Sequence, residues 1–219
     1  MKKKETIYRI FGRTLGRTNN KFSIKYYLEL LLPFKVYKLS KKEKYILDIG
    51  SGYGETTLYL AHKYSNYKII ACEKYINGNF NLIKKIKQDH INNILIHNGN
   101  VHEILDKNEK YNFFDKVFIF FPDPWPKNKH NKRRLINFSF FTKIYEYVSH
   151  NGKIYIVTDS DLYKRSILNS IYETKHLFKW LNYSKLNLSV KDYFDLETKF
   201  YKKAIISKRK PTLFVLQKL

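Results

Sequence analysis

The sequence predicts an α/β fold built on a mostly parallel sheet, and three observations carry that expectation. Short runs rich in β-branched and aromatic residues alternate with longer segments of helical spacing along most of the chain. One of these runs, Val117 to Phe121, is continuously apolar, as strands buried on both faces of a parallel sheet are. Another ends in a glycine-rich turn, Asp48-Ile49-Gly50-Ser51-Gly52-Tyr53-Gly54, that opens a helical segment.

Taken in order, the apolar spacing over 22–32 suits an amphipathic helix stopped by Pro33. Strands are expected at 45–49, 68–72, 94–97, 116–121 and 153–157. Helices are expected at 55–64, 80–88, 101–105, 135–148 and 162–172. Strands that alternate with helices require right-handed crossovers and hence parallel neighbours. The pattern then changes: 178–182 and 212–216 read as late edge strands, separated by a polar loop and a basic segment over 199–210. A chain of 219 residues fits one such domain, expected over 22–219. Residues 1–21 form a basic arm in which Arg9, Arg13 and Arg17 recur at every fourth position, while Gly12 and Gly16 argue against a stable helix. Two readings stay open for it: an arm that touches phosphate, or plain terminal disorder.

Lys and Arg number 42 against 19 Asp and Glu, a formal net charge of +23 that favours a polyanionic partner, nucleic acid first and an anionic membrane second. The chain is also rich in Asn, Ile and Tyr, so base composition supplies part of the lysine, and clustering says more than number. A single cysteine, Cys72, excludes an intramolecular disulfide and a cysteine zinc cluster. The seven histidines show no metal-ligand spacing, and no metal is implied. No stretch approaches the roughly 18 apolar residues of a membrane span, and no signal-peptide run follows the opening lysines. A soluble, cytoplasmic protein is expected.

The candidate site is read from strand ends. Glycines at 50, 52 and 54 let the backbone approach a ligand, and Asp48 supplies an acceptor beside the turn. A dinucleotide fingerprint would have its third glycine where this chain has Glu55, whose carboxylate would face a pyrophosphate. S-adenosylmethionine, which carries a sulfonium and an ammonium but no phosphate, fits better. Glu73, at the end of the second strand, suits a carboxylate that accepts hydrogen bonds from both ribose hydroxyls. Asn100 reads either as a contact to the adenine edge or as a helix cap. Asp159 reads either as a helix cap or as a substrate ligand. Asp123 follows the buried run within Phe121-Pro122-Asp123-Pro124-Trp125-Pro126-Lys127, where the prolines predict a stiff extended exit. Trp125 either stacks on a ligand or braces the loop. The cations Lys127, Lys129, Lys132, Arg133 and Arg134 follow directly and suit phosphate contacts.

Phe121 to Lys127 together with Lys132-Arg133-Arg134 resembles the signature of the bacterial tRNA (guanine-N7)-methyltransferases, and the likeness runs from Phe11-Gly12-Arg13 to the Thr198 region. The resemblance implies a Rossmann-like class I methyltransferase, a mostly parallel seven-stranded sheet with helices on both faces and an antiparallel edge. It implies methyl transfer from S-adenosylmethionine to N7 of the guanosine at position 46 in the tRNA variable loop, by a monomer or homodimer without metal or membrane attachment. Carried over residue by residue, Asp48, Gly50, Gly52, Glu73, Asn100 and Asp123 hold the cofactor, with Asp123 catalytic. Lys127, Asp159, Thr198, Lys199, Phe200 and Tyr201 contact substrate, and Lys129, Lys132, Arg133 and Arg134 contact RNA. Three positions depart from the family pattern: Asp48 stands for a commoner Glu, Asn100 for a commoner Asp, and Tyr201 for a Glu. The third removes a carboxylate unless Glu197 supplies it. A tRNA-binding protein without catalysis and a small-molecule methyltransferase are the competing readings.

Overall fold

The structure is a computed structural model that describes residues 8, 11–12, 14–16, 24–185 and 190–219. Five strands alternate with helices in the first three quarters of the chain. These are β1 (Tyr45–Ile49), α2 (Glu55–Lys63), β2 (Lys68–Cys72), α3 (Ile76–Gln88), β3 (Ile94–His97), α4 (Val101–Lys107), β4 (Phe114–Phe120), α5 (Phe138–Tyr145), β5 (Val148–Thr158) and α6 (Asp161–Glu173), preceded by α1 (Ile24–Leu31). The rest holds β6 (Phe178–Trp180), α7 (Val190–Tyr193), α8 (Lys199–Ile206) and β7 (Thr212–Lys218). The strands form one sheet in the order β3-β2-β1-β4-β5-β7-β6. β1 to β5 are parallel, and β7 runs antiparallel to both β5 and β6. Among the described residues no helix is long and apolar enough to cross a membrane.

The two-residue period of β4 explains the layering. Val117 and Ile119 pack on one face with Val101, Ile104, Phe140, Ile144, Tyr163 and Ile167, which places α4, α5 and α6 there. Phe118 and Phe120 pack on the other with Tyr27, Leu60, Leu82, Ile83 and Tyr201, from α1, α2, α3 and α8. Each large side chain buried this way contributes roughly 1.5–3 kcal/mol.

Several boundaries differ from the sequence expectation, each for a local reason. Asn137 caps α5 by accepting from the Phe140 N–H at 2.9 Å, so that helix starts later than 135. β5 begins at Val148 rather than 153, because Phe114 pairs with Val148 but Lys116 pairs with Lys153; the residues between leave the ladder, with Asn151 left-handed at φ 60°. The basic segment after 198 contains α8, whose start is fixed by Thr198 accepting from the Tyr201 N–H at 3.2 Å.

The antiparallel edge is held partly by a side chain. Buried Asn182 donates to the Leu213 carbonyl at 2.8 Å and accepts from the Val215 N–H at 2.9 Å and the Trp180 indole at 2.8 Å. Asn182→Leu should lower the unfolding free energy by about 1–3 kcal/mol in urea titration, because it strands buried backbone groups without partners.

Candidate functional site

Strand order reverses between β1 and β4: the chain moves outward through β2 and β3, then returns to lay β4 beside β1. Loops leaving those two strand ends diverge and open a crevice, the place where α/β sheets bind ligands. A cavity of about 660 Å³ lies there, lined among others by Gly50, Gly52, Glu73, Asn100, Asp123 and Phe200.

On the β1 side, Gly50 and Gly52 adopt left-handed backbone with φ 76° and 55°. A Cβ on Gly50 would meet nothing within 4 Å, so the turn presents bare backbone to the cavity. The Gly52 N–H donates to Glu73 Oε2 at 3.0 Å, and Glu73 Oε1 accepts from the Lys74 and Tyr75 N–H groups at 2.7 and 2.9 Å. Three backbone donors thus fix the carboxylate at the end of β2, and its remaining lone pairs stay available to a ligand. α3 reaches the turn because residue 78 is glycine: a Cβ there would lie 2.1 Å from the Gly52 carbonyl oxygen.

Asp48 does not line this cavity. It is buried behind the turn, accepts from Thr57 Oγ1 at 2.6 Å, and burial pushes its carboxyl up to about 7; the Thr57 hydrogen bond opposes that rise and the neighbouring Glu73 charge adds to it. Asn100 has both of its anticipated features: it caps α4, with Oδ1 accepting from the His102 N–H at 3.0 Å, and it lines the cavity.

On the β4 side the loop is not a simple extended exit. Phe121 and Trp125, each directly before a proline, are left-handed with φ 51° and 42°. The following ring disfavours the right-handed helical region at both positions, which narrows their choices. Arg134 holds the result in place: its Nε donates to the Pro124 carbonyl at 2.8 Å and its Nη2 to the Trp125 carbonyl at 3.2 Å, while its guanidinium lies 5.5 Å from the Tyr163 ring centre. Arg134 is therefore a buried brace turned away from the exposed Lys127, Lys129 and Lys132. The Arg133 guanidinium sits 5.0 Å from the ring centres of both Trp125 and Phe11. Trp125 is packed within the loop by these contacts and by an edge-on His130 at 5.7 Å. Asp123 is exposed at the cavity wall.

The anticipated substrate residues separate into three groups. Lys132, Arg133, Arg134 and Phe200 line the cavity, and Phe200 stacks on Phe121 with ring centres 6.2 Å apart. Lys127, Lys129 and Asp159 lie outside it, Asp159 in an ion pair with Arg209 at 3.2 Å. Thr198, Lys199 and Tyr201 build α8: the Lys199 N–H donates to Glu55 Oε2 at 2.8 Å, and Tyr201 is buried in the core. Glu197 pairs with Lys191 and does not line the cavity.

Sequence reasoning missed Tyr8, Phe11, Tyr53 and Lys74 as lining residues. Lys74 was signalled only by its place after Glu73. The Tyr8 hydroxyl hydrogen-bonds Asp106 and accepts from Lys143 Nζ at 2.8 Å, with its ring stacked on His102 at 4.9 Å. Gly12 lies over the site, since a Cβ on it would be 2.9 Å from Lys74 Nζ and 3.3 Å from Asp123 Oδ2. The expected basic face of Arg9, Arg13 and Arg17 lies outside the described residues.

A family profile described as a putative methyltransferase matches residues 42–213. A tRNA (guanine-N(7)-)-methyltransferase of Buchnera aphidicola is 33% identical over 193 residues, 85% of this chain and 80% of the relative. The chain belongs to the tRNA (guanine-N7)-methyltransferase family. A second member, from Wolbachia pipientis, is 32% identical over 82% of this chain and 77% of its own. Among solved structures, an rRNA methylase of Streptococcus thermophilus superposes with a TM-score of 0.54 at 14% identity, covering 89% of this chain and 95% of that one. A putative methyltransferase of Streptococcus mutans, solved with SAH, gives 0.53 at 18% identity over 91% and 99%. These two show the same Rossmann-like class I fold. The methyltransferase thus uses S-adenosylmethionine as its methyl donor. The cavity fits that donor: bare backbone at Gly50 and an oriented carboxylate at Glu73.

Asp48 yields a pH test. Its folded pKa of about 7 exceeds its ordinary 3.8, so its stabilising share is complete below pH 4 and is lost as pH rises to about 7. Asp48→Asn, which keeps an acceptor for Thr57, should therefore gain stability relative to the parent between pH 4 and 7 and hold a constant advantage above. Urea titrations of the ligand-free protein at stepped pH measure that gap.

Proposed function

We propose that this methyltransferase moves the methyl group of S-adenosylmethionine to N7 of a tRNA guanosine, at position 46 of the variable loop, in the cytoplasm. The observation that carries the reading is the meeting, at one cavity, of the Glu73 carboxylate, the bare glycine turn and the exposed Asp123 beside Lys132 and Arg133. Gly50, Gly52, Glu73 and Asn100 would hold the donor, and Asp48 would support the turn from behind. When bound, the donor supplies a methyl group on a positively charged sulfur.

The chemistry asks mainly for placement. Guanine N7 has an in-plane lone pair and no proton, so no strong base is needed, and alignment of the reacting atoms governs the rate. Asp123 is an acceptor suited to the guanine N1–H and exocyclic N–H groups, and its charge favours the cationic ring that methylation creates. Phe200 offers an apolar face for the base, while Lys127, Lys129, Lys132 and Arg133 suit phosphates. Arg134 keeps Asp123 in place through the carbonyls on its C-terminal side. Thr198, Lys199 and Tyr201 act through α8, which they fix, and Asp159 is engaged by Arg209.

These roles give three expected outcomes. With labelled S-adenosylmethionine and unmodified tRNA, reduction and aniline cleavage should map the product to the variable loop. Asp123→Asn should lower turnover by about 10²-fold with donor affinity retained; normal turnover would remove the carboxylate from the mechanism. Arg134→Gln removes both the charge and the two-carbonyl fork, so it should depress kcat while the salt dependence of tRNA binding stays at the parent's slope. A shallower slope would make Arg134 a phosphate contact.

A further inference from the structure

The segment that begins with α8 carries cations that folding does not explain. Residues 199–210 contain Lys199, Lys202, Lys203, Lys208, Arg209 and Lys210 and no acid. Tyr201 and Ala204 turn into the core, and Lys199, Lys202, Lys203 and Lys208 face outward. A helix N-terminus is the positive end of its dipole, so cations there oppose it and acids are favoured. α8 nonetheless opens on Lys199, has no acid in its first turn and places Lys202 immediately after. At the other end Lys208 is left-handed with φ 54°, a position where glycine avoids a cost of roughly 1–2 kcal/mol. Among the described residues no ion pair engages Lys202, Lys203 or Lys208, whereas Arg209 is tied to Asp159.

The location gives these charges a use. Phe200, half exposed, brings the start of α8 to the cavity mouth, and Lys203 Nζ lies 5.8 Å from its ring centre. α8 packs in the helix layer of Tyr27, Leu60 and Leu82, while the turn carrying Lys129 and Lys132 is anchored through Arg134 on Tyr163 in the opposite layer. Cations therefore approach the mouth from both faces of the sheet.

We propose that Lys202, Lys203 and Lys208 form a second phosphate track for the RNA substrate, opposite Lys127, Lys129 and Lys132, so that the nucleotide entering the cavity is held by the backbone on both sides. This rests on the reading that tRNA is the substrate. A base can reach a closed site only when its strand is drawn around it, and holding one flank alone leaves the other free to pull the base out. Phosphate contacts of this kind fix register and carry no sequence information. They release counterions, so each contributes to the salt slope of binding.

The test compares the full chain with K202Q/K203Q/K208Q and with K42Q/K44Q/K87Q, a charge-matched set of exposed lysines away from the mouth. Binding of an unmodified tRNA transcript is followed by fluorescence anisotropy across a potassium chloride series. The α8 variant should bind about tenfold more weakly or worse, with a slope of log Kd against log salt shallower by about 2, at ~0.7 per contact. Its affinity for S-adenosylmethionine by calorimetry should match the parent, and the control set should keep the parental slope. An α8 variant whose slope equals the control's, beside a parent that binds and methylates tRNA, overturns this inference and leaves the functional reading intact. A parent that neither binds nor methylates tRNA overturns both. Parental binding to phosphatidylglycerol vesicles that is lost in the α8 variant, with the tRNA slope unchanged, would make the surface lipid-facing and also overturn the proposal.

Discussion

The structure depends on one constraint of sheet topology, the parallel pairing of β1 with β4 after an excursion through β2 and β3. A parallel neighbour must be reached by a crossover, so the loops leaving the two strand ends go to different layers and cannot fill the space between them. Everything assigned to chemistry hangs from those ends. The glycine turn continues β1, the Asp123 loop continues β4, and Glu73 and Asn100 follow the next two strands outward. The core then serves to hold four strand ends in register, which the apolar run from Val117 to Phe120 does by burying itself on both faces.

Charge is organised around this opening in two ways. At the cofactor end acids are few and tightly held: three backbone N–H groups orient Glu73, and Asp48 is kept dry behind the turn, while Lys74, Lys132, Arg133 and Arg134 line the rest of the cavity. Outside, lysines and arginines dominate, and Asp123 stands exposed between these regimes. Such a pattern suits a reaction in which a cationic donor is bound within and a polyanion is bound without, because the two ligands then seek opposite potentials a short distance apart.

Much of this was legible in the sequence, for identifiable reasons. β1 and β2 fall where the apolar runs fall, since strands buried on both faces leave a compositional trace that contacts do not blur, and β3 at the edge, buried at alternate residues, falls where its short apolar run does. The Gly50, Gly52, Glu73, Asn100 and Asp123 set was legible because its members sit directly at strand ends, where position in the chain implies position in space. What escaped depended on distant partners. Nothing in Lys132-Arg133-Arg134 distinguishes the cation that turns inward to two carbonyls from those that stay in solvent; the distinction lies in Tyr163, far along the chain. Tyr201 shows the same limit, since its burial follows from the packing of α8 on the sheet and not from its neighbours. Tyr8 and Phe11 were invisible because their partners, His102, Asp106, Trp125 and Lys143, lie about a hundred residues further along the chain.

The left-handed pair Phe121 and Trp125 has a consequence for the empty enzyme. Each precedes a proline, and a residue so placed has already lost part of its conformational range before the chain folds. The entropy given up on ordering this loop is correspondingly small, because the restriction is present in the unfolded ensemble as well. The left-handed conformation itself lies outside the extended region that a following proline favours, so it is held from elsewhere in the fold, by Arg134 on the Pro124 and Trp125 carbonyls. The wall that carries Asp123 therefore owes its shape to a residue ten positions further on, and a change at Arg134 reaches the cavity without touching anything that lines the glycine turn.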